Sequence, residues 1–230
     1  MVIKRILMVY TSNDKLGDTG DKTGWYLPEA AHPYAAFKAA GFDITHASIK
    51  GGVAPLDKDS LDLTDAENKA FWEKPGEGKK FTETTVKLSD CKSADFDAIF
   101  FVGGFGTMWD FPDDPDVHRL VKELYESGKI VSAVCHGPCA LVHVKLTNGD
   151  YLIKGHEIAV FTNDEEDHVK RRDLIPFLCE DRLKENGGTH KKAGVFGVSV
   201  AVSGDGGRLI TGQNPPSAKA TAEAIVAALN

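Results

Sequence analysis

Cysteine is scarce in this chain, and no long hydrophobic run is present. The four cysteines among 230 residues form no CxxC pair and lack the density of a disulfide-stabilised domain, so we expect a reducing, cytoplasmic setting. The longest apolar runs, such as Ala98–Val102 and Ile130–Val134, are far shorter than the roughly 20 residues that a membrane-spanning helix needs. We therefore expect no membrane segment.

Positive charge is also in short supply. The net charge of −7 and the isoelectric point near 5.6 argue against nucleic acid as a partner, because phosphate binding requires a basic surface. Neither a P-loop nor a dinucleotide-binding fingerprint occurs, and the histidines lack the spacing of metal ligands. The sequence thus predicts neither an organic cofactor nor a catalytic metal.

Short runs rich in Val, Ile and Phe alternate with longer amphipathic segments. This pattern is typical of βαβ units and predicts an α/β three-layer sandwich with a flavodoxin-like, mostly parallel sheet. The expected strands are Ile3–Thr11, Phe42–Ser48, Ala98–Gly103, Ile130–Val134, Ile158–Thr162 and Arg208–Thr211. The expected helices are Pro28–Ala40, Pro115–Ser127, Pro138–Lys145, Glu165–Glu185 and Ser217–Leu229.

The domain organisation is expected to be simple. No internal repeat or linker is evident, so residues 1–230 are predicted to form one domain with an insertion around 51–90. Within it, Gly51–Lys80 mixes Gly, Pro and charges and holds one expected short helix, Thr64–Trp72. A short strand pair is also expected within Thr189–Val202.

The most informative segment is Ile130–Ala140, which reads I-V-S-A-V-C-H-G-P-C-A. A buried strand here runs directly into an expected helix start, with Cys135 at the corner. A nucleophile on such a turn needs small residues two positions before and after it, and Ala133 and Gly137 satisfy that requirement. The pattern predicts a nucleophile elbow that carries sulfur.

A thiol at a helix N-terminus is stabilised as the thiolate by the helix dipole and by unpaired N–H groups. We therefore expect the pKa of Cys135 to be lowered. Cys139 lies one helical turn further and is expected to pack the helix against the sheet. Cys91 and Cys179 have no recognisable functional context.

A glycine-rich turn follows another expected strand, in V-G-G-F-G. Backbone N–H groups of such a turn can stabilise the negative charge that develops on a carbonyl oxygen. Because strands of an open α/β sheet place their sites at the carboxyl edge, Gly103 and Gly104 are expected beside the elbow. A plain βα turn is the alternative interpretation.

Three motifs together resemble the ThiJ/PfpI superfamily, within its glutathione-independent glyoxalase branch, also called glyoxalase III or D-lactate dehydratase, which includes heat-shock chaperone-like proteins. They are A-V-C-H-G-P, G-G-F-G-T-M-W-D-F-P and T-G-W-Y-L-P-E-A-A-H-P, and the likeness extends to the C-terminal T-G-Q-N-P-P-S-A. The resemblance implies a fold like that of class I glutamine amidotransferases, a small 2-oxoaldehyde substrate and a homodimer.

The resemblance also implies roles for particular residues. The family's nucleophile falls on Cys135, its histidine on His136, its helix glutamate on Glu29 and its later acid on Glu166, with Glu165 one step away. Two further residues are expected at the substrate pocket. They are His32, which lines the pocket or packs beneath it, and Phe105, which stands where many relatives carry a histidine and is expected to alter substrate preference.

Nucleophile, base and acid alone permit acyl transfer as well as hemithioacetal chemistry. Glu29 favours the second, because a carboxyl group beside the sulfur in an apolar helix would have a raised pKa and could move a proton. The sequence thus predicts conversion of methylglyoxal and water to D-lactate through a Cys135 hemithioacetal. A cysteine peptidase or amidase that uses Cys135, His136 and Glu166, and a stress chaperone or redox sensor, remain alternatives.

Overall fold

Strands and helices alternate along residues 3–73 and 78–230, which the computed structural model describes. The strands are β1 (Arg5–Tyr10), β2 (Asp43–Ser48), β3 (Val86–Lys87), β4 (Ala98–Phe101), β5 (Ile130–Val134), β6 (Glu157–Ile158), β7 (Thr189–His190), β8 (Val200–Ser203) and β9 (Leu209–Gly212). The helices are α1 (Leu27–Ala39), α2 (Ala66–Glu73), α3 (Gly78–Glu83), α4 (Thr107–Asp110), α5 (Pro115–Glu126), α6 (Asn163–Val169), α7 (Cys179–Glu185) and α8 (Ala218–Leu229).

Seven strands form the main sheet, in the order β3-β2-β1-β4-β5-β9-β8. All neighbours are parallel except β8, which runs antiparallel to β9. Strands β6 and β7 pair separately, in parallel. The expected α/β class with a mostly parallel sheet is therefore confirmed.

Two apolar clusters cover the two faces of the sheet, because successive side chains of a strand point to opposite sides. On β1, Leu7 and Val9 belong to the cluster that includes α5, whereas Ile6, Met8 and Tyr10 belong to the cluster that includes α1 and α8. Each of these five side chains is completely buried. Helices on both faces explain why β1, β4 and β5 read as continuous hydrophobic runs.

Several expected elements are shorter than the hydrophobic pattern suggested. Instead of a helix over Pro138–Lys145, a 3₁₀ turn spans Gly137–Ala140, and the chain then reverses into a bridge between Lys145 and Tyr151. The helix expected over Glu165–Glu185 is divided into α6, a 3₁₀ turn at Arg172–Leu174 and α7. The first break is at Lys170, whose φ of 58° is left-handed, and Pro176, which lacks the N–H that a continuous helix requires, keeps the chain from being helical before α7.

Two strand predictions were also wrong. Of the strand expected over Ile158–Thr162, only its first residue is a strand residue, in β6, outside the main sheet. The two strands within Thr189–Val202 do not pair with each other, since β7 joins β6 and β8 joins β9. Within Gly51–Lys80, residues 74–77 lie outside the described part of the chain, and the expected helix Thr64–Trp72 corresponds to α2.

The sheet brings two turns together. Strands β4 and β5 are adjacent and parallel, with Phe101 opposite Ala133. The glycine-rich turn after β4 and the cysteine turn after β5 therefore leave the same carboxyl edge. Helix α1 begins beside them, because the Tyr26 N–H donates a hydrogen bond to the Gly103 carbonyl, 3.1 Å away.

Candidate active site

Cys135 occupies a sharp turn between β5 and the 3₁₀ turn that follows. Its φ of 60° lies in the left-handed region, which is uncommon for any residue with a side chain. A Cβ atom on Gly137 would lie 2.5 Å from the Phe101 carbonyl oxygen, so only glycine fits two positions after the cysteine. The backbone therefore has the geometry of a nucleophile elbow.

A histidine and a carboxylate form a chain of polar contacts that begins at the Cys135 thiol. Cys135 Sγ lies 3.4 Å from His136 Nδ1, and His136 Nε2 lies 2.6 Å from Glu166 Oε1. The carboxylate can only accept, so this bond places the ring proton on Nε2 and leaves Nδ1 as an acceptor facing the thiol. His136 and Glu166 are each only 1% exposed.

Glu29 is completely buried on α1, beside the same thiol. Neither of its carboxyl oxygens has a well-formed hydrogen bond, and a Cβ atom on Gly103 would clash with Oε2. Burial raises its pKa well above the ordinary value, and the nearby Cys135 thiol and Gly103 amide only partly oppose this rise. Burial therefore favours the neutral carboxylic acid form of Glu29.

The pKa of Cys135 is raised, contrary to the expectation of a stabilised thiolate. Burial is the largest cause, followed by the carboxyl group of Glu29, while the His136 amide N–H opposes the rise. The expected helix dipole is also weak, because a four-residue 3₁₀ turn replaces the helix after the elbow. Burial thus favours the neutral thiol of Cys135 beside the neutral carboxylic acid of Glu29.

The two neighbouring glutamates of α6 have different surroundings. Glu165 accepts five hydrogen bonds, from the backbone and hydroxyl of Thr162, the Phe196 N–H, and the side-chain amides of Gln213 and Asn214. With Thr162 it forms a capping box at the start of α6. The carboxylate of Glu165 is thus taken up by structural hydrogen bonds, and Glu166 is the glutamate that contacts His136.

The two glycines after β4 differ in what they contact. A Cβ atom on Gly103 would lie 3.0 Å from Cys135 Cβ, so its backbone borders the nucleophile. Gly104 has a φ of 111°, and a Cβ atom there would lie 2.8 Å from the Trp25 Cα. Gly104 therefore packs against the segment before α1, where only glycine fits.

Aromatic rings enclose the histidine. The Phe105 ring centroid lies 4.4 Å from that of His136, and the Phe161 ring lies 4.5 Å from it on a neighbouring segment. Tyr26 is half-buried, and its pKa is raised to about 12 by burial and then by the nearby carboxyl of Glu29 and thiol of Cys135. Sequence reasoning gave Tyr26 no place at the site, although it belongs to the motif that contains Glu29.

The structure does not bring His32 together with these groups. Its Nε2 atom lies 3.1 Å from Asp65 Oδ1, just before α2. Trp25 and Phe71 are at most 2% exposed, so these two aromatic side chains offer no apolar surface to a partner. Cys139 is buried as expected, with its thiol donating to the Thr107 carbonyl.

Comparisons with known proteins place this architecture in a family. Residues 24–228 match the model of the DJ-1/PfpI family. The chain belongs to the DJ-1/PfpI family. The predicted resemblance is therefore confirmed.

Similar DJ-1/PfpI family members include named enzymes. The chain is 30% identical to glyoxalase 3 of Candida albicans, over 99% of this chain and 98% of that one. It is 33% identical to the glutathione-independent glyoxalase HSP31 of Saccharomyces cerevisiae, over 100% and 99% of the two chains. These relatives support a glyoxalase role for this DJ-1/PfpI protein.

Solved DJ-1/PfpI structures agree with the fold over nearly the whole chain. The Rapid Encystment Protein of 24 kDa from Francisella tularensis has a TM-score of 0.93 at 37% identity, covering 99% of this chain and 100% of its own. Glyoxalase III of Candida albicans has a TM-score of 0.85 at 30% identity, covering 98% and 97%.

Within the described residues, no group of three His, Cys, Asp or Glu side chains is arranged to hold a metal ion. The helices of residues 3–73 and 78–230 include none that is both long and apolar enough to cross a membrane.

Proposed function

We propose that this DJ-1/PfpI protein is a glutathione-independent glyoxalase that converts methylglyoxal and water to D-lactate. The observation that carries the proposal is the completely buried carboxyl group of Glu29, whose pKa is raised by burial, beside the Cys135 thiol and the Gly103 backbone. Acyl transfer has no evident need for an acid at this position. An isomerisation that moves a proton between two adjacent carbons does need one.

The thiol adds first to the aldehyde carbon of methylglyoxal. The carbon–sulfur bond forms while His136 Nδ1 accepts the thiol proton, and Glu29 donates a proton to the aldehyde oxygen to give a neutral hemithioacetal. Glu166 stabilises the histidine in its positively charged form, from a distance of 2.6 Å. The raised pKa of Cys135 requires such a base close to the sulfur.

The second stage moves hydrogen from C1 to C2. The Glu29 carboxylate formed in the first stage removes the C1 proton while protonated His136 donates its proton to the C2 oxygen, giving an enediol. Glu29 then returns its proton to C2 while the C1 hydroxyl proton passes back to His136, giving a lactoyl thioester. Water hydrolyses the thioester, and His136 returns its proton to the departing sulfur, which restores the thiol. The lactic acid formed gives its proton to Glu29, the other proton of the water passes to solvent, and lactate leaves with the carboxylic acid restored. Atoms balance, because one water is added to one methylglyoxal and no redox partner is consumed.

Limited access supports a small substrate over a peptide. Cys135 is only 3% exposed, and the half-buried Phe105 and Tyr26 lie close to His136 and to Cys135, respectively. A peptidase would have to admit an extended backbone to the thiol, whereas a three-carbon aldehyde needs little space.

The test is lactate production from methylglyoxal without glutathione, with the chirality of the product recorded. Wild type should turn over, while Cys135→Ala and Glu29→Gln should each lose at least about 10²-fold in kcat. Activity that survives in Glu29→Gln would refute the proposed proton transfer. The homodimer implied by the resemblance can be checked by sedimentation equilibrium of the same samples.

Stress-related chaperone activity is a second candidate. Val195, Val198 and Val202 are 46%, 58% and 53% exposed, around the edge strand β8. Such apolar exposure suits binding of unfolded chains. Suppression of aggregation that persists in Cys135→Ala would separate this activity from the thiol chemistry.

A further inference from the structure

An arginine on the outer side of the site contacts the ring that covers the histidine. The Arg171 guanidinium carbon lies 5.1 Å from the centroid of the Phe105 ring, which is itself 4.4 Å from the His136 ring. Phe105 therefore contacts both the buried His136 ring and the partly exposed guanidinium group of Arg171. Arg171 has no role in the chemistry proposed above.

The position of Arg171 is set by the helix that carries Glu166. Helix α6 ends at Val169, and the next residue, Lys170, turns the chain sharply with a φ of 58°. The Arg171 N–H then donates to the Glu166 carbonyl, 3.1 Å away. One short helix thus positions Glu166 against His136 and Arg171 against the Phe105 ring.

The ion-pair partner of Arg171 is Asp59, which lies on a turn that is hydrogen-bonded to the helix carrying Glu29. Arg171 Nη2 lies 3.2 Å from Asp59 Oδ2, on a 3₁₀ turn at Lys58–Ser60. Ser60 Oγ accepts a hydrogen bond from the N–H of Leu27, the first residue of α1. The ion pair between Arg171 and Asp59 therefore connects the two sides of the site across Phe105.

The ion pair between Arg171 and Asp59 is weak enough to break and re-form. The Asp59 side chain is 77% exposed, so the ion pair is screened by water and salt. The guanidinium contact with Phe105 is also partly exposed, where such contacts are modest. Closed and open arrangements should therefore interconvert without unfolding any helix.

We propose that Arg171 and Asp59 form a latch that holds Phe105 over the entrance and sets the largest 2-oxoaldehyde that reaches Cys135. The proposal rests on the proposed glyoxalase function for its substrate class, while the latch itself is a property of thiol access. Methylglyoxal passes the closed entrance, whereas branched or aromatic 2-oxoaldehydes require the latch to open.

Access can be measured without any catalysis. Cys135 is alkylated with iodoacetamide, which is small, or with fluorescein maleimide, which is bulky, and the modified peptide is quantified by mass spectrometry. We expect the bulky reagent to react roughly tenfold faster in Arg171→Ala, which loses both contacts, and roughly two- to fivefold faster in Asp59→Asn, which loses only the exposed ion pair. The small reagent should react less than about twofold faster in either variant. Higher salt should accelerate the bulky reagent in wild type but not in Arg171→Ala.

Arg182→Ala is the matched control. Arg182 also lies over a phenylalanine, 4.9 Å from the Phe177 ring, and pairs with Glu185 at 2.9 Å. Arg182→Ala removes the same kind of contact but not the one with Phe105, so it should leave the rates of Cys135 alkylation by both reagents unchanged. An equal acceleration of both reagents in Arg171→Ala would indicate general loosening and would overturn the latch, as would no change in their ratio.

Substrate preference provides the second measurement. In Arg171→Ala, kcat/KM for tert-butylglyoxal should rise relative to methylglyoxal, chiefly through a lower KM, and Arg171→Lys should restore part of the wild-type ratio. An unchanged preference in an active enzyme would overturn the latch. If wild type makes no lactate but the alkylation ratio changes as expected, the latch stands and the proposed function fails.

Discussion

The protonation of Glu29 can be tested through the stability of the fold. In the unfolded chain Glu29 ionises near its ordinary pKa of 4.5, whereas burial raises its pKa in the folded protein well above that value. The folded state therefore retains a proton that the unfolded state loses. Stability from this group is complete below the unfolded pKa and is lost as pH rises towards the folded pKa.

Glu29→Gln removes this dependence, because the amide does not titrate. Between the two pKa values, wild type should lose about 1.4 kcal/mol relative to the variant for each pH unit. If the folded pKa lies above the range tested, the change from about pH 5.5 to about pH 7.5 is roughly 3 kcal/mol. For a chain of this size, that difference corresponds to roughly 6–12 °C in Tm.

The measurement is urea unfolding of wild type and Glu29→Gln across this pH range, with Tm as a second readout. Glu223→Gln is the control, because Glu223 is exposed on α8 and its replacement should give no comparable slope. A difference between wild type and Glu29→Gln that stays flat with pH would refute the reasoning. Glu29 would then be ionised beside the thiol and could not donate a proton to the aldehyde.

Four other substitutions separate the roles of neighbouring residues. Glu166→Gln should lower kcat by about 10²-fold or more with little change in urea unfolding. Glu165→Gln should instead lower the free energy of unfolding by about 2–3 kcal/mol, because an amide cannot accept from all five donors. Equal effects of the two variants on kcat and on the free energy of unfolding would contradict this division of roles. Gly103→Ala should lower kcat/KM strongly, because the added methyl clashes with Glu29 Oε2, and unchanged kinetics would remove Gly103 from the site. Cys135→Gly should be more stable than Cys135→Ala by about 1 kcal/mol in urea, because glycine accepts the left-handed backbone without strain; the reverse order would show that the turn is not strained.

The sheet and the elbow were predictable because their signals are local. Continuous apolar runs indicate strands buried on both faces, and small residues flanking Cys135 indicate a tight turn. The choice between Glu165 and Glu166 also had a local signal that was not used. Thr162 and Glu165 have the spacing of a capping box, which assigns Glu165 to the helix start.

Other features depend on contacts between distant parts of the chain. His32 is hydrogen-bonded to Asp65, which is 33 residues away in the sequence, and no periodicity indicates that pairing. Asp59 and Arg171 are 112 residues apart, so the entrance could not be recognised from either segment alone. The break at Pro176, by contrast, was visible in the sequence and was outweighed by the amphipathic pattern on either side.

The failed expectation of a stabilised Cys135 thiolate changes how the site must operate. A permanently ionised thiol would react with any electrophile that reached it. Here burial raises the pKa of both Cys135 and Glu29 and so favours the protonated form of each group. Reaction therefore requires an aldehyde that accepts one proton from Glu29 while His136 removes the other from sulfur. The same burial that suppresses the resting thiolate thus couples nucleophile activation to binding of a carbonyl compound, and the two raised pKa values are a condition of the proposed chemistry rather than an obstacle to it.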